Sequence, residues 1–544
     1  MPSLYEVFIW TGSPLQIGLS CLTLFVLLWA FNKLCFTRRR RRTAETELRA
    51  RDPTKGHRWT LAEFICRPTY CSVCENSLIF GAYCDSCLIC THDRCASVAN
   101  AQFACKALTL SPGRTSMRHH FVKGNLPLGS RCSLCGRGCG AEPRLCGMRC
   151  VWCQRKWHET CVRGDAGLEA CDLGPFASMI VPPYAIALRT TDAAAAARQR
   201  RFLVDRVYPV ATIEAWRPVL VLVNPTSGEK AGDYLMSIFR SLLNPVQVVN
   251  LNEVSPDEAL EFCRLVDTFQ CRVIVCGGDG TVGWMSAAIQ RANLKVPPAV
   301  GIIPLGTGND MARVLGWGPG YDFEDVNSLL KDFQDADVVK FDRWNVDIVE
   351  ESQFVGQKEL NRRLIMNNYF GIGCGAYATL GFHKQRESAP EKFQSRIFNK
   401  GWYIVYGALD VLLHTCKDLQ EKLVIELDGI VLKNLPRLEG VVILNINSWS
   451  AGTKAWGDGN GLGPSRFDDG FLEVFGVYSS LHIALINFSL LSPVRLGRAR
   501  QIKIKLKSGV IPVQVNGEPW EQTPAHINIS HCNQMAVLQR RGEF

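Results

Sequence analysis

RVIVCGGDGTVGW, Arg272 to Trp284, is the stretch whose reading decides the fold. Its first half is an apolar run of strand length, and the run ends in a glycine turn leading to a helical stretch, Val282 to Ala292. PVLVLVN (Pro218 to Asn224) and PAVGIIPLGTG (Pro298 to Gly308) repeat the plan, each closing in Asn or Gly. Buried strands alternating with helices make a parallel α/β sheet from Trp216 onward. Exposed backbone donors at the carboxyl ends of such strands favour phosphate, which nominates Gly277, Gly278, Gly280 and Thr281 as phosphate contacts.

Gly278, Gly280 and Gly283 also satisfy GxGxxG, a weak dinucleotide signal. Asp279 argues against that reading, because a carboxylate inside the turn repels a bare pyrophosphate. It suits ATP with Mg2+ bridging it to the phosphates. The chain has no GxxxxGK[ST] loop and lacks the protein-kinase signatures. NPTSG (Asn224 to Gly228) and GTGND (Gly306 to Asp310) follow apolar strands too, and in an open parallel sheet such loops converge on one crevice. Asn224, Thr226, Ser227, Gly228, Gly306, Thr307 and Asn309 are therefore expected to line the same nucleotide site.

Past Leu364 the runs IELDGIVL, GVVILNIN, FLEVFGVY, IKIKLK and HINIS follow one another with few helices, as in a mainly antiparallel second domain. DDGFLE places Asp468, Asp469 and Glu473 near a strand start, where a carboxylate could serve as general base; a plain hairpin turn is the alternative.

Sixteen of the 24 cysteines lie between Cys66 and Cys171, which argues for local metal sites over a secreted disulfide framework. They form two similar halves: His57, Cys71, Cys74, Cys84, Cys87, His92, Cys95 and Cys105, then His119, Cys132, Cys135, Cys150, Cys153, His158, Cys161 and Cys171. Eight Cys/His ligands per half suit two tetrahedral Zn2+ ions each, and units this small should depend on the metal to fold.

The chain has 544 residues, 47% of them hydrophobic and 21% charged, which excludes disorder as the main theme. Its excess of ten positive charges is half supplied by Arg38 to Arg42, so nucleic-acid binding is not indicated. Leu15 to Phe31 is uncharged and apolar and those arginines follow it, the pattern of a membrane anchor helix (15–36) with the bulk of the protein cytosolic. A re-entrant helix bending at Pro14 or Gly18 is the alternative. Ser178 to Arg201, with Pro182, Pro183 and an alanine run, reads as a tether. Oligomeric state is left open.

The Cys/His order resembles the cysteine-rich diacylglycerol-binding zinc modules of the protein kinase C type. That resemblance implies interleaved ligand sets: His57, Cys84, Cys87 and Cys105 against Cys71, Cys74, His92 and Cys95, and His119, Cys150, Cys153 and Cys171 against Cys132, Cys135, His158 and Cys161. The first half has a shortened loop between Cys74 and Cys84, and the Gln-Gly of lipid-binding members is missing from both, so a positioning role is expected for the modules.

VNPTSG, VCGGDGTVGW and IPLGTGNDMARVLGWG together resemble the catalytic domain of the diacylglycerol kinases, with sphingosine kinases and bacterial lipid kinases more distantly similar. NNYFGIG, FHKQRE, FQSRIFNK, DDGFLEVFGV and VNGEPW resemble the accessory domain of the same family. The resemblance implies a multidomain chain: zinc modules at 57–105 and 119–171, a catalytic domain at 215–350 and an accessory domain at 364–522. These make a two-domain lipid-kinase core behind an N-terminal hydrophobic helix. It also implies ATP-dependent phosphorylation of diacylglycerol to phosphatidic acid at a membrane, endoplasmic reticulum or plasma membrane. The layout is most similar to the epsilon type, for which the family implies a preference for arachidonoyl chains. Asp279 is then the metal- or phosphate-proximal carboxylate, and Asp469, with Glu473 beside it, the general base. The family usually carries an Asp in the stretch here written GIGCGA, where this chain has Gly375. A sphingoid or ceramide kinase, or a catalytically weak zinc-module adaptor, is the alternative.

Overall fold

The computed structural model describes residues 57–62, 69–111, 113–140, 145–163, 170–189, 204–228, 231–266, 271–351, 361–388, 416–457 and 461–542. The anchor segment 15–36, the alanine run and FQSRIFNK lie outside the described residues. Among the described residues no helix is long and apolar enough to cross a membrane.

The three apolar runs of the sequence become parallel strands: β1 (Val219–Val223), β3 (Arg272–Gly277) and β4 (Ala299–Pro304), with β2 (Val248–Asn250) at the edge. Their order is β2-β1-β3-β4. The chain leaves β1 toward one edge and β3 toward the other, so the gap beyond their carboxyl ends is the switch point of the sheet. Every residue of β1, β3 and β4 is buried, as two-sided coverage by helices requires. Burying each of Val273, Ile274 and Val275 stabilises the sheet by about 1.5–3 kcal/mol. Helices α1 (Ala231–Leu242) and α2 (Asp279–Ala292) follow β1 and β3. Helix α2 opens at Asp279, three residues earlier than the apolar periodicity suggests, so Gly280 and Thr281 belong to its first turn. The short α3 (Asp310–Val314) follows β4, and α4 (Val326–Asp335) is capped by the Asp325 side chain.

The sheet does not stop with the parallel strands. β5 (Asp337–Glu350) pairs antiparallel with β6 (Asn361–Met366) and with the last strand of the chain, Ala525–Gln539, along its whole length. That last strand also meets β4 in parallel at Val300 and Val537. The HINIS run is thus the first third of a strand that returns to the nucleotide-side sheet. A ten-stranded mixed sheet results, continuing through Gln501–Leu506 and Leu423–Leu427.

A second, six-stranded sheet is antiparallel throughout. It is built from β7 (Tyr369–Gly373), Gly440–Leu444, Leu472–Val477, Val494–Ala499, Ile511–Val515 and Glu518–Gln522. Apolar side chains of the two sheets share one core, Trp344, Phe370, Ile443 and Ile527 among them. Helix α5 (Cys374–Ser388) follows β7.

Each cysteine-rich half carries a small three-stranded antiparallel sheet and a short helix. Reciprocal backbone bonds between Tyr70 and the Asn125 amide join the two halves. The stretch expected as a tether is docked over its first part. Ile180 and Val181 are buried, and the Gln247 side chain binds Met179 O, Val181 N and Val219 O, so apolar content and a buried amide hold it to the sheet.

Candidate active site and zinc centres

Three glycine loops meet at the switch point. The Asn224 amide, held by Thr226, donates to Thr281 Oγ1 at 3.2 Å, joining the NPTSG loop to the first turn of α2. Ser227 N donates to Asn224 O, and a Cβ on Gly228 would lie 3.2 Å from Leu305, against the third loop. Gly278 and Gly306 touch backbone to backbone: a Cβ on Gly278 would lie 2.9 Å from the Gly306 Cα, and one on Gly306 would lie 2.6 Å from the Gly278 Cα. Any side chain at either position would force two loops apart. Gly277 is equally confined, by the Thr281 side chain. Gly278 offers no side chain to cap α2, which leaves the opening N–H groups of a 14-residue helix facing the crevice.

Asn309 is not an open lining group. Its backbone is left-handed, and its amide accepts from Gly306 N and donates to Gly306 O and Pro319 O, so it braces the loop from within. Thr307 stands at the tip of that loop, between Gly306 and Gly308.

Asp279 accepts hydrogen bonds from the Asp310 and Met311 N–H groups, at 3.1 and 3.2 Å, and so caps α3 across the crevice. It accepts a third, at 3.0 Å, from the Asn368 amide of the second sheet's leading turn. Asn516, in VNGEPW, holds that turn by accepting from Asn367 N and Asn368 N. Asp310, buried beside Asp279, accepts from Ser448 Oγ at 2.6 Å and Gly452 N at 3.0 Å. Burial, then the charge of Asp279, push its carboxyl up to about 6. Oδ2 atoms of both carboxylates flank Gly308. Asp310, Asn368 and Asn516 are site residues that no sequence motif singles out. They lie in GTGND, NNYFGIG and VNGEPW, but nothing in a linear string shows that an amide 89 residues away meets Asp279.

Asp469 and Glu473 come together elsewhere on the second sheet, around one guanidinium. Arg498 donates to Asp469 Oδ2 at 2.7 Å and to Glu473 Oε1 at 3.1 Å. Glu473 is sealed from solvent and also takes the Ser465 hydroxyl; burial raises its carboxyl to about 7. The DDG turn is fixed through Gly470 N, which donates to the buried Asp342. Asn445 links Asp342 O to Asn367 O, so the turn is connected by hydrogen bonds to the segment that meets Asp279.

The sixteen Cys/His residues fall into four groups whose ligand atoms lie within 4.8 Å of one another, grouped as the interleaved scheme implies. Tetrahedral Zn2+ with bonds of about 2.3 Å to sulfur and 2.0 Å to nitrogen needs S–S edges near ~3.8 Å and S–N edges near ~3.5 Å. The edges found are 3.6 Å for Cys84–Cys105, 3.9 Å for Cys150–Cys171, 3.4 Å for Cys74–His92 and Cys135–His158, and 3.5 Å for Cys153–His119. The donor set fits zinc. His57 and His158 direct Nδ1 to the cluster and Nε2 to the carbonyls of Phe103 and Gly138, which fixes the ring as a ligand needs.

Both modules dock on the catalytic segment. Lys106 Nζ donates to the carbonyls of Arg240, Ser241 and Leu243 at the end of α1 and lies over the Trp152 ring; from the second module Gln154 Nε2 donates to Ser241 O at 3.1 Å, and Arg149 joins the modules through Cys87 O.

Residues 218–341 match the diacylglycerol kinase catalytic domain, 365–519 the diacylglycerol kinase accessory domain, and 119–172 the phorbol ester/diacylglycerol binding (C1) domain. By these domains the chain belongs to the diacylglycerol kinase family. Among similar proteins, "Probable diacylglycerol kinase 3" of Caenorhabditis elegans is 32% identical over 522 residues, covering 89% of this chain and 64% of that protein. Diacylglycerol kinase iota of Mus musculus is 34% identical over 504 residues, covering 84% and 47%. The chain thus spans about half to two thirds of the length of these family members. A crystal structure of a diacylglycerol kinase from Bacillus anthracis aligns with a TM-score of 0.36 at 18% identity, over 59% of this chain and 96% of that one.

Proposed function

We propose that this diacylglycerol kinase family member transfers the terminal phosphoryl group of ATP to the free hydroxyl of diacylglycerol, giving phosphatidic acid. The observation that carries the reading is the hydrogen bond from Asn368 to Asp279. It ties the accessory segment to the carboxylate where three glycine loops meet, so a nucleotide on the loops and a lipid on the accessory side would share one crevice.

In this reading the N–H groups of Gly278, Gly280 and Thr281 hold phosphate, the loop of Asn224, Thr226, Ser227 and Gly228 closes one wall, and Gly306 and Thr307 close the other. Asp279 and Asp310 are the residues suited to Mg2+, since a dication beside Gly308 would offset the repulsion between them. When bound, Mg2+ neutralises charge on the phosphates. Asp469, partly open to solvent, is the general base for the lipid hydroxyl, and Glu473, buried behind Arg498, positions it. Zinc in the paired modules holds them folded against α1, which suits a positioning role.

The 15–36 segment serves as a membrane anchor with the kinase core on the cytosolic side, at the endoplasmic reticulum or plasma membrane. The order of anchor, two zinc modules and kinase core supports the epsilon-type reading, and with it an arachidonoyl preference.

The test is transfer of labelled phosphate from ATP to diacylglycerol in mixed micelles, with sphingosine and ceramide offered in parallel. Diacylglycerol should be the substrate used, and Asp279→Asn should lose activity by about a hundredfold or more. Phosphorylation of sphingosine or ceramide instead would overturn the substrate assignment, and full activity of Asp279→Asn the site assignment.

A further inference from the structure

Between Tyr478 and Leu491 the accessory domain presents five large apolar side chains, Tyr478, Leu481, Phe488, Leu490 and Leu491, each more than half exposed. Tyr478 stands just before a helix, Ser480–Asn487, Leu481 lies in its first turn, and the other three occupy the turn that follows it. The other face of this helix buries Ile486 against Phe475, Trp449 and Val477. Contiguous exposed apolar surface of this kind marks an interaction site.

The turn is built to hold that surface outward. His482, itself buried, accepts from Tyr478 N through Nδ1 and pairs through Nε2 with Ser492 O, pinning both ends of the protrusion. Ser489 is left-handed (φ 59°), Ser489 N donates to Ile486 O, and Leu490 N donates to Leu485 O. Backbone groups are thus satisfied internally, and Phe488, Leu490 and Leu491 project from a fixed frame.

We infer that this protrusion docks on a lipid bilayer and sets the height of the active site above it. Two observations select a bilayer as the occupant. From Tyr478 to Ser492 the sequence has no acidic residue, and the exposed Lys454 follows Thr453, which Asn487 of the protrusion binds, so the surroundings are matched to anionic lipid. The protrusion is also wired to the site. Asn487 bonds Ser450 and Thr453, and the same loop supplies Ser448 Oγ and Gly452 N to Asp310. An element resting on the bilayer would therefore carry the loop beside the paired carboxylates. This rests on the reading that the substrate is a membrane lipid.

Hydrogen exchange on the full chain tests docking without turnover. Adding phosphatidylcholine vesicles containing phosphatidic acid should slow exchange at residues 488–492 several-fold. Leu490→Ser combined with Leu491→Ser should raise the KM for vesicle-borne diacylglycerol by about tenfold or more while leaving kcat for a dissolved short-chain diacylglycerol unchanged. Exchange unaltered by vesicles overturns the inference, as does protection that appears only on raising protein concentration, the mark of a second copy. Equal loss on dissolved and vesicle-borne substrate also overturns it. A chain with no kinase activity that still gains vesicle protection would sink the proposed reaction and leave the docking intact.

Discussion

Asp85 Oδ2 and Arg240 Nη1 lie 2.8 Å apart with both side chains almost sealed from solvent, joining the first zinc module to helix α1. Burial pushes the Asp85 carboxyl up despite Arg240 and the more distant Arg58, so desolvation outweighs attraction at this contact. Removing one partner should therefore be far worse than removing both. Asp85→Ala is expected to cost about 3–5 kcal/mol, and Asp85→Leu with Arg240→Met close to nothing, by denaturant unfolding. If the single variant were harmless, the module would not be docked through this pair.

Zinc should be needed by the kinase core as well as by the modules. Lys106 follows ligand Cys105 directly and caps α1, so losing the cluster withdraws its bonds to three carbonyls. Elemental analysis is expected to find four zinc ions per chain, one for each Cys/His group. Cys135→Ala should lower the content to three, and chelation should destabilise α1, seen as faster hydrogen exchange at 235–243. Zinc-free protein with unchanged exchange there would refute the coupling.

Much of this was legible beforehand, and the exceptions share a cause. Strand β3 and its loop, the two Cys/His-rich halves and the alternation of strands from Trp216 are local patterns, fixed by burial and spacing, whereas the division of the ligands into four interleaved groups came from the family resemblance. Asp310, Asn368 and Asn516 escaped because their roles arise from pairing between distant segments, and the last strand escaped because its polar middle, HCNQ, hides how far it runs. Asn309 misled for a related reason. A small polar residue in a glycine loop suits both ligand contact and loop bracing, and only its three internal bonds decide between them.

Gly278→Ala should weaken nucleotide binding before it unfolds the protein. The new methyl would meet the Gly306 backbone at 2.9 Å, and neither loop can yield without moving Asn309 or Asp279. The KM for ATP should rise by about tenfold or more, with thermal protection by ATP lost and the unliganded melting temperature lowered by a few degrees. Retained ATP protection would show that the two loops separate freely.

The buried Glu473 predicts a pH-dependent stability of definite sign. Its folded carboxyl titrates at about 7, above the ~4.3 of an unfolded chain, so its contribution is complete below that lower value and lost as pH rises toward 7. The slope from this group is at most about 1.4 kcal/mol per pH unit, less what Arg498 returns. Glu473→Gln keeps an acceptor for Arg498 and removes the titration. The variant should therefore gain on the wild type as pH increases from about 5 to 7 in urea unfolding. Parallel pH profiles would mean that Arg498 keeps Glu473 ionised throughout.

Gly375 stands where the family resemblance implies an Asp, and the position can be tested directly. A Cβ there would lie 3.6 Å from Ile483, 3.9 Å from Trp449 and 4.0 Å from Gln514 Nε2, all ordinary contacts, so the backbone accepts a side chain. The Gln514 amide is the one polar group among these neighbours, and its Oε1 is buried without a hydrogen-bond partner, which leaves Nε2 turned toward the new carboxylate. Gly375→Asp is therefore expected to change stability by no more than about 1 kcal/mol. Phosphoryl transfer to diacylglycerol should rise if that position orients substrate or metal, read as kcat in mixed micelles. An equally stable variant with unaltered kcat and KM would show that Asp279, Asp310 and the DDG turn suffice without it.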